Sequence, residues 1–243
     1  MNVALIFAGG VGKRMNSKGK PKQFLELNGK PIIIHTVEHF ETHKQIDSIV
    51  IVCVAEWIEY LENLLKKFNI RKVVKIVEGG LTAQESTQRG LYAIEDIYSD
   101  KIKETIVLIH DGVRPLINEQ LITDNIDTVK KYGNAITVVP AIETIISVNS
   151  NDEIQNVMER GKCRLARAPQ SFWLKDILMA QKKAQKDHLS EVIDSASLMK
   201  YYGTTLHTVE GPIENIKITS PSDFYIFRAI VEAKENSQIW GLQ

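Results

Sequence analysis

Cysteine is nearly absent from this 243-residue chain, which has two, and neither sign of charge prevails: 30 lysines and arginines face 30 acidic residues. Cys53 lies in an apolar run and Cys163 between basic residues. No disulfide framework is expected from that placement, and a reducing cytoplasm is the default setting. Balanced charge without a long run of one sign argues against nucleic acid or an anionic membrane as the main partner. No apolar stretch approaches the length of a membrane span. The first residues enter a strand pattern with no basic leader or small-residue cleavage site, which again points to the cytoplasm.

Familiar catalytic signatures are missing as well. A P-loop needs Gly-Lys followed by Ser or Thr, but Gly12-Lys13 is followed by Arg14, and Phe7 stands where the first glycine belongs. A dinucleotide fingerprint needs a third glycine where Met15 stands, with a helix starting directly; here loop composition continues from Asn16 to Pro21. His35, His39 and His43 are spaced four apart on the helix expected after Pro31. No His-Glu-x-x-His completes a zinc motif, so an ordinary polar helix face is expected. There is no Gly-x-Ser-x-Gly elbow, and neither cysteine has a local base.

What is present is an apolar run, Val3 to Phe7, ending in Ala8 and three glycines within four residues, Gly9, Gly10 and Gly12. Glycines let backbone N–H groups approach an anion without a Cβ in the way. Lys13, Arg14 and, after a short loop, Lys22 place cations where a triphosphate would lie. The pattern reads as a strand-end loop that wraps a nucleotide; a plain glycine-rich turn is the competing reading.

Composition is ordinary for a globular protein, 44% hydrophobic and 25% charged. The length suits one large α/β domain or two small ones. Buried-strand runs at 48–54, 73–77, 106–109 and 135–139 alternate with helical patterns at 57–68, 83–97 and 121–130. Such alternation predicts a mostly parallel sheet with helices on both faces. The rhythm breaks after Pro140. Two β-like segments, Thr144 to Val148 and Ile154 to Met158, flank the turn cluster Asn149-Ser150-Asn151-Asp152 and predict a hairpin arm spanning about 141–165. Helices are expected again at 174–185 and 195–202, strands at 204–209 and 216–219, and a last helix from Pro221 capped by Ser220.

Three further stretches carry candidate chemistry. Ile109 to Pro115 puts Asp111 just past a buried strand, where a carboxylate can hold Mg²⁺ against phosphates, and Arg114 where it can take a phosphate; a mutual Asp–Arg pair is the bland alternative. Gly79 and Gly80 at a strand end, with Ser86 on the next helix, could read a base edge, although a tight turn explains them as well. Lys217 sits inside an apolar segment and must find a counter-charge, enter a cleft or snorkel to an edge.

Taken in order, AGGVGKRM, PKQF, EGG with ESTQRGL, HDGVRP, VPAIETI, ER before RAPQSF, IDSAS and GPIENIKIT resemble the cytidylyltransferases that act on polyol phosphates. That family includes a methylerythritol 4-phosphate branch of isoprenoid synthesis and a ribitol 5-phosphate branch of teichoic-acid and capsule synthesis. The resemblance implies a Rossmann-like fold of the nucleotide-diphospho-sugar transferase type, one domain over 1–243 with a protruding arm, CTP and a polyol phosphate as substrates, and Mg²⁺ as cofactor. It implies that Ala8, Gly9, Gly10, Gly12, Lys13, Gly79, Gly80 and Ser86 bind the nucleotide. Arg14, Lys22 and Lys217 would neutralise charge at the α-phosphorus. Asp111 would hold the metal, and Arg114, Thr144 and Arg160 the acceptor. It further implies a homodimer with arm exchange, Arg160 acting in trans.

Ala83, Glu143, Ile193 and Ala168 depart from the residues common in the family. HDGVRP, the AGG opening and PKQFLELNGKP favour the alditol branch, hence D-ribitol 5-phosphate and CDP-ribitol. Still open at this level are the methylerythritol reaction, another nucleotidyltransferase of the same fold, a dinucleotide-dependent oxidoreductase and a non-catalytic nucleotide-binding homologue.

Overall fold

The computed structural model describes residues 1–9, 19–189 and 192–240. Gly10, Gly12, Lys13 and Arg14 therefore lie outside the described residues. Seven strands make the central sheet: β1 (Asn2–Ala8), β4 (Ser48–Cys53), β5 (Val73–Glu78), β6 (Ile106–Asp111), β7 (Asn134–Pro140), β10 (Arg164–Trp173) and β11 (Thr208–Glu210). Their order is β11-β7-β10-β6-β1-β4-β5. β1 pairs in parallel with both β4 and β6, β4 with β5, and β11 with β7. β10 alone runs antiparallel, against β6 and β7. Two small ladders stand apart, β2 (Glu26–Leu27) with β3 (Lys30–Pro31) and β8 (Ile146–Val148) with β9 (Ile154–Val157).

The fully buried runs in β1 and β4 require cover on both faces. One face is covered by α1 (Ile32–Thr42), α2 (Ile58–Lys67) and α4 (Glu119–Tyr132), through Phe40, Leu61 and Ile126. α3 (Ala83–Ile97), α5 (Leu174–Lys186) and α6 (Ser195–Tyr201) cover the other, through Leu91, Ile177 and Leu198. Helix starts are fixed locally. Thr82, Asn118 and Asp194 each accept a backbone N–H from three residues on, at 2.8–3.0 Å. The last helix, α7 (Pro221–Trp240), opens as its sequence predicts: Ser220 Oγ accepts from Asp223 N, and Asp223 Oδ2 accepts from the Ser220 and Thr219 amides.

The alternating pattern locates five core strands and the helices on both faces. Two expectations need correction. Residues 216–219 are not a strand: the described backbone bond there runs from Ile218 N to Val113 O, while Lys217 reaches sideways to Asp111. The 204–209 strand shrinks to Thr208–Glu210. β10 escapes sequence reading because Arg164, Arg167 and Pro169 break its apolar pattern, although Phe172 and Ser171 are wholly buried.

The histidine face of α1 is not solvated as expected. His35 stacks edge-on against Phe227 of α7, and His39 Nε2 lies 2.9 Å from the Pro115 carbonyl oxygen. They line a cavity of about 490 Å³ with Phe68 and Lys234. Among the described residues no group of three or more His, Cys, Asp or Glu side chains could hold a metal ion. No helix among them is long and apolar enough to cross a membrane.

Candidate active site

β1 lies between β4 and β6, so successive crossovers leave it in opposite directions. A crevice opens at the carboxyl end of such a strand. Ala8 and Gly9 occupy that end. Phe7 pairs in register with Asp111, and Ala8 with Cys53, which in turn pairs with Glu78. The ends of β1, β4, β5 and β6 therefore come to one rim.

On the β5 side the rim is made of backbone. Gly79 N donates to the Cys53 carbonyl at 2.8 Å, and Gly80 N donates to Ser86 Oγ at 3.0 Å. A Cβ on Gly79 would meet Ser86 Oγ at 3.3 Å, and one on Gly9 would stand 4.0 Å from it. Gly9, Gly79, Gly80 and Ser86 thus share one small neighbourhood. Arg89 Nη1 braces it by donating to the Gly79 carbonyl, 3.1 Å away.

The loop carrying Lys22 is fastened to the same rim. Lys22–Phe24 form a single 3-10 turn, in which Gln23 is buried and donates to the Ala8 carbonyl. Phe24 is stacked on Trp57 with ring centroids 5.0 Å apart. Sequence reasoning missed Gln23; its place between Lys22 and a buried aromatic was the available signal.

On the β6 side the rim is made of charge. Asp111 Oδ1 lies 2.7 Å from Lys217 Nζ, and Asp111 Oδ2 lies 2.8 Å from Arg114 Nε. Burial alone would raise the Asp111 pKa, but the Lys217 and Arg114 charges and hydrogen bonds outweigh it and hold the carboxyl well below the usual range. Gly112 makes the turn possible. Its N–H donates to the Phe7 carbonyl at 2.8 Å, and a Cβ there would strike Ile33 and sit 2.7 Å from that carbonyl oxygen. His110 lies 3.1 Å from the Arg114 carbonyl through Nε2, and burial pushes its pKa down to about 4. A neutral, buried imidazole bonded to backbone serves the turn rather than proton transfer.

Asn215 was also missed. It is wholly buried, donates from Nδ2 to the Ala168 carbonyl at 2.7 Å, and accepts Arg114 Nη1 on its own carbonyl at 2.9 Å. A polar residue buried between Ile213 and Ile216 was the signal in the sequence.

Thr144 and Arg160 are placed differently. Both are exposed on the arm; Arg160 donates to the Ile142 carbonyl at 3.3 Å and makes no bond to the Asp111 cluster within this chain. The arm is a hairpin with apolar side chains on its surface, Ile154 63% and Val157 66% exposed.

A family model described as 2-C-methyl-D-erythritol 4-phosphate cytidylyltransferase (IspD) matches residues 2–233. A curated relative from Vibrio parahaemolyticus, named ribitol-5-phosphate cytidylyltransferase, is 54% identical over 99% of this chain and 100% of its own. One of the same name from Streptococcus agalactiae is 51% identical over the full length of both chains. The solved structure of 4-diphosphocytidyl-2C-methyl-D-erythritol synthase from Anaerococcus prevotii has a TM-score of 0.81 to this fold. It is 25% identical and covers 95% of this chain and 96% of that one.

Proposed function

The chain belongs to the 2-C-methyl-D-erythritol 4-phosphate cytidylyltransferase (IspD) family, and from that premise we propose that it transfers a cytidylyl group from CTP to D-ribitol 5-phosphate, giving CDP-ribitol and pyrophosphate. Its high-identity relatives named for that reaction support the choice of acceptor. The observation that carries the reading is the Asp111–Lys217–Arg114 cluster, held by contacts of 2.7–2.8 Å beside the end of β1. Polymers of the teichoic-acid or capsule kind would use the product, and the cytoplasm would be its place of synthesis.

A phosphate oxygen of the acceptor attacks the α-phosphorus of CTP in line. A new P–O bond forms as the bond to the β-phosphate's bridging oxygen breaks, and pyrophosphate leaves with the electron pair. A phosphate monoester is already a competent nucleophile, so the neutral His110 has no proton to take. The chain's work is alignment and neutralisation of developing charge. Lys217 is preorganised for it by Asp111, and Lys22 by the Gln23–Ala8 and Phe24–Trp57 contacts. Arg14 and Lys13, with Gly10 and Gly12, would complete the triphosphate cradle, while Gly79, Gly80 and Ser86 face the cytidine.

Asp111 is a single, quarter-exposed carboxylate with one cation on each oxygen, leaving lone pairs on both. That donor set fits Mg²⁺, which takes one or two carboxylates and completes its shell with phosphate oxygens and water. Bound there, the ion would supply Lewis-acid stabilisation of the transferring phosphate. Thr144 and Arg160, which this chain leaves away from its own cluster, would serve the partner's acceptor site in a homodimer with exchanged arms. The exposed apolar side chains of the arm support that arrangement.

Pyrophosphate release with CTP is the test, run against ribitol 5-phosphate, methylerythritol 4-phosphate, glycerol 3-phosphate and other pentitol phosphates. Ribitol 5-phosphate should give the highest kcat/KM. Preference for methylerythritol 4-phosphate would move the chain to the other branch. CTP binding without turnover on any of them would make it a non-catalytic homologue.

A further inference from the structure

Six buried side-chain polar atoms among the described residues have no hydrogen-bond partner. Buried polar groups are nearly always paired, so each exception asks for an explanation, a missing ligand among them. Three of the six lie at the Asp111–Arg114 cluster: His110 Nδ1 and Asn215 Oδ1, whose residues bond Arg114, and Arg167 Nε, whose charge is repelled by Arg114.

Arg167 is a half-buried guanidinium with no hydrogen bond and no ion pair among the described residues. Its place follows from β10. In that strand Ala166 pairs with Val138, and the next pairing is Gln170 with Ile136, so residues 167–169 oppose Thr137 alone. A bulge of this kind re-aims side chains and is common beside active sites. The carbonyl of the next residue, Ala168, is held by Asn215, whose own carbonyl is held by Arg114. Arg167 and Arg114 are close enough for their charges to repel; burial, then that repulsion, lowers the Arg167 pKa.

Arg114 has little left to offer a ligand, being 7% exposed with Nε on Asp111 and Nη1 on Asn215. One carboxylate, Asp111, stands against three cations, Arg114, Lys217 and Arg167. Positive charge therefore exceeds negative at this partly exposed edge, which favours an anion there. A guanidinium with free donors matches a phosphate oxygen pair in geometry as well as charge.

We propose that Arg167 binds the phosphate monoester of the acceptor substrate and so selects for it. Position decides between the acceptor and CTP. The glycine rim of β1 and β5 lies on one side of β6, and Arg167 on β10 lies on the other, next to the base of the arm. The proposal rests on the cytidylyltransferase reading for the identity of the acceptor, but not for the anion.

Steady-state kinetics of Arg167→Ala, Arg167→Gln and Arg167→Lys should show the acceptor KM raised about 10- to 100-fold in the first two. The lysine variant should recover part of the loss, and the KM for CTP should stay within about two-fold of wild type. Calorimetric titration with ribitol 5-phosphate, methylerythritol 4-phosphate and inorganic phosphate, each with a methylene-bridged CTP analogue present, provides a readout that needs no turnover. Weaker phosphate binding by Arg167→Ala, with matched thermal unfolding of the lysine variant, supports the proposal even if the acceptor is not ribitol 5-phosphate. An unchanged acceptor KM and unchanged phosphate binding would overturn it, as would a loss confined to CTP. Failure of wild type to bind any of the three phosphates would do the same.

Discussion

The cluster at the end of β6 and the hairpin arm are built in opposite ways from similar residue types. At β6, Asp111 is held by Lys217 and Arg114, Arg114 also by Asn215, and the Gly112 amide by the Phe7 carbonyl, all beside buried strands. On the arm, Thr144 and Arg160 stand exposed just outside the two-stranded ladder, and Ile154 and Val157 on the ladder are mostly exposed. An isolated two-stranded hairpin is marginal in water. The contrast separates a cluster held by contacts within the chain from a surface that, in the proposed homodimer, would serve a second copy.

The largest expected effect tests the finished side. Lys217→Ala removes a cation already positioned by Asp111, and Lys22→Ala one positioned through Gln23. Each should lower kcat by about 100- to 1,000-fold, the usual cost of losing one preorganised donor at developing charge, about 2.7–4 kcal/mol. Steady-state kinetics at saturating CTP reads this out, and near-normal turnover in either variant removes that lysine from the proposed chemistry.

The unfinished side is tested next. Arg160→Ala should raise the acceptor KM about tenfold or more, the scale of one charged hydrogen bond. Mixing it with Asp111→Ala subunits should restore part of the activity, because one site in each hybrid then has both groups. Ile154→Asp combined with Val157→Asp should convert the proposed dimer to monomer in sedimentation velocity. If hybrids show no rescue and the double variant remains dimeric, the arm works within its own chain and the comparison fails.

A pair of glycines sharpens the same contrast at lower energy. Gly112→Ala forces a Cβ against Ile33 and the Phe7 carbonyl oxygen, and should destabilise the fold by about 1–3 kcal/mol. Gly161→Ala, at the base of the arm, meets no atom within 4 Å and should change stability by less than about 0.5 kcal/mol. Urea midpoints at constant slope decide it; equal costs would mean that the two turns are equally constrained.

The same difference explains what could be read from the sequence. Strands β1, β4, β6 and β7 announce themselves as apolar runs because both their faces are covered, while the edge strand β5 is legible from Val73 to Val77 despite Lys75. α3 is legible from Ala83 to Ile97 because its buried face repeats at Ser86, Gly90, Leu91 and Ile94. Asp111 was visible as a charge just past an apolar segment, and Lys217 as one inside another. Their pairing across 106 residues was not, since no local pattern encodes a long-range contact. β10 was hidden because Arg164 and Arg167 interrupt its apolar residues and its bulge breaks the alternation. The segment 216–219 looked like a strand because its apolar residues are buried, against α7 and Val113 rather than in a ladder. The histidines of α1 looked solvated because nothing in their spacing reveals that α7 lies over them.

That seam between α1 and α7 yields the smallest expected effect, a part of the pH response. Burial, partly countered by the Leu27 and Pro115 carbonyls, pushes the His35 and His39 pKa values below the ordinary one. As pH falls through about 6.5 the unfolded chain takes up protons that the folded chain still refuses. The unfolded state then holds more protons, so stability declines with falling pH in that window. Asp111, held far below the usual carboxylate range, contributes no slope there, whereas the buried His110, pushed down to about 4, adds a slope of the same sign. His39→Gln keeps a donor for the Pro115 carbonyl and removes the titration. Its urea midpoint should therefore fall less than that of wild type between pH 8 and pH 5.5, whereas parallel declines would place the acid sensitivity outside this seam.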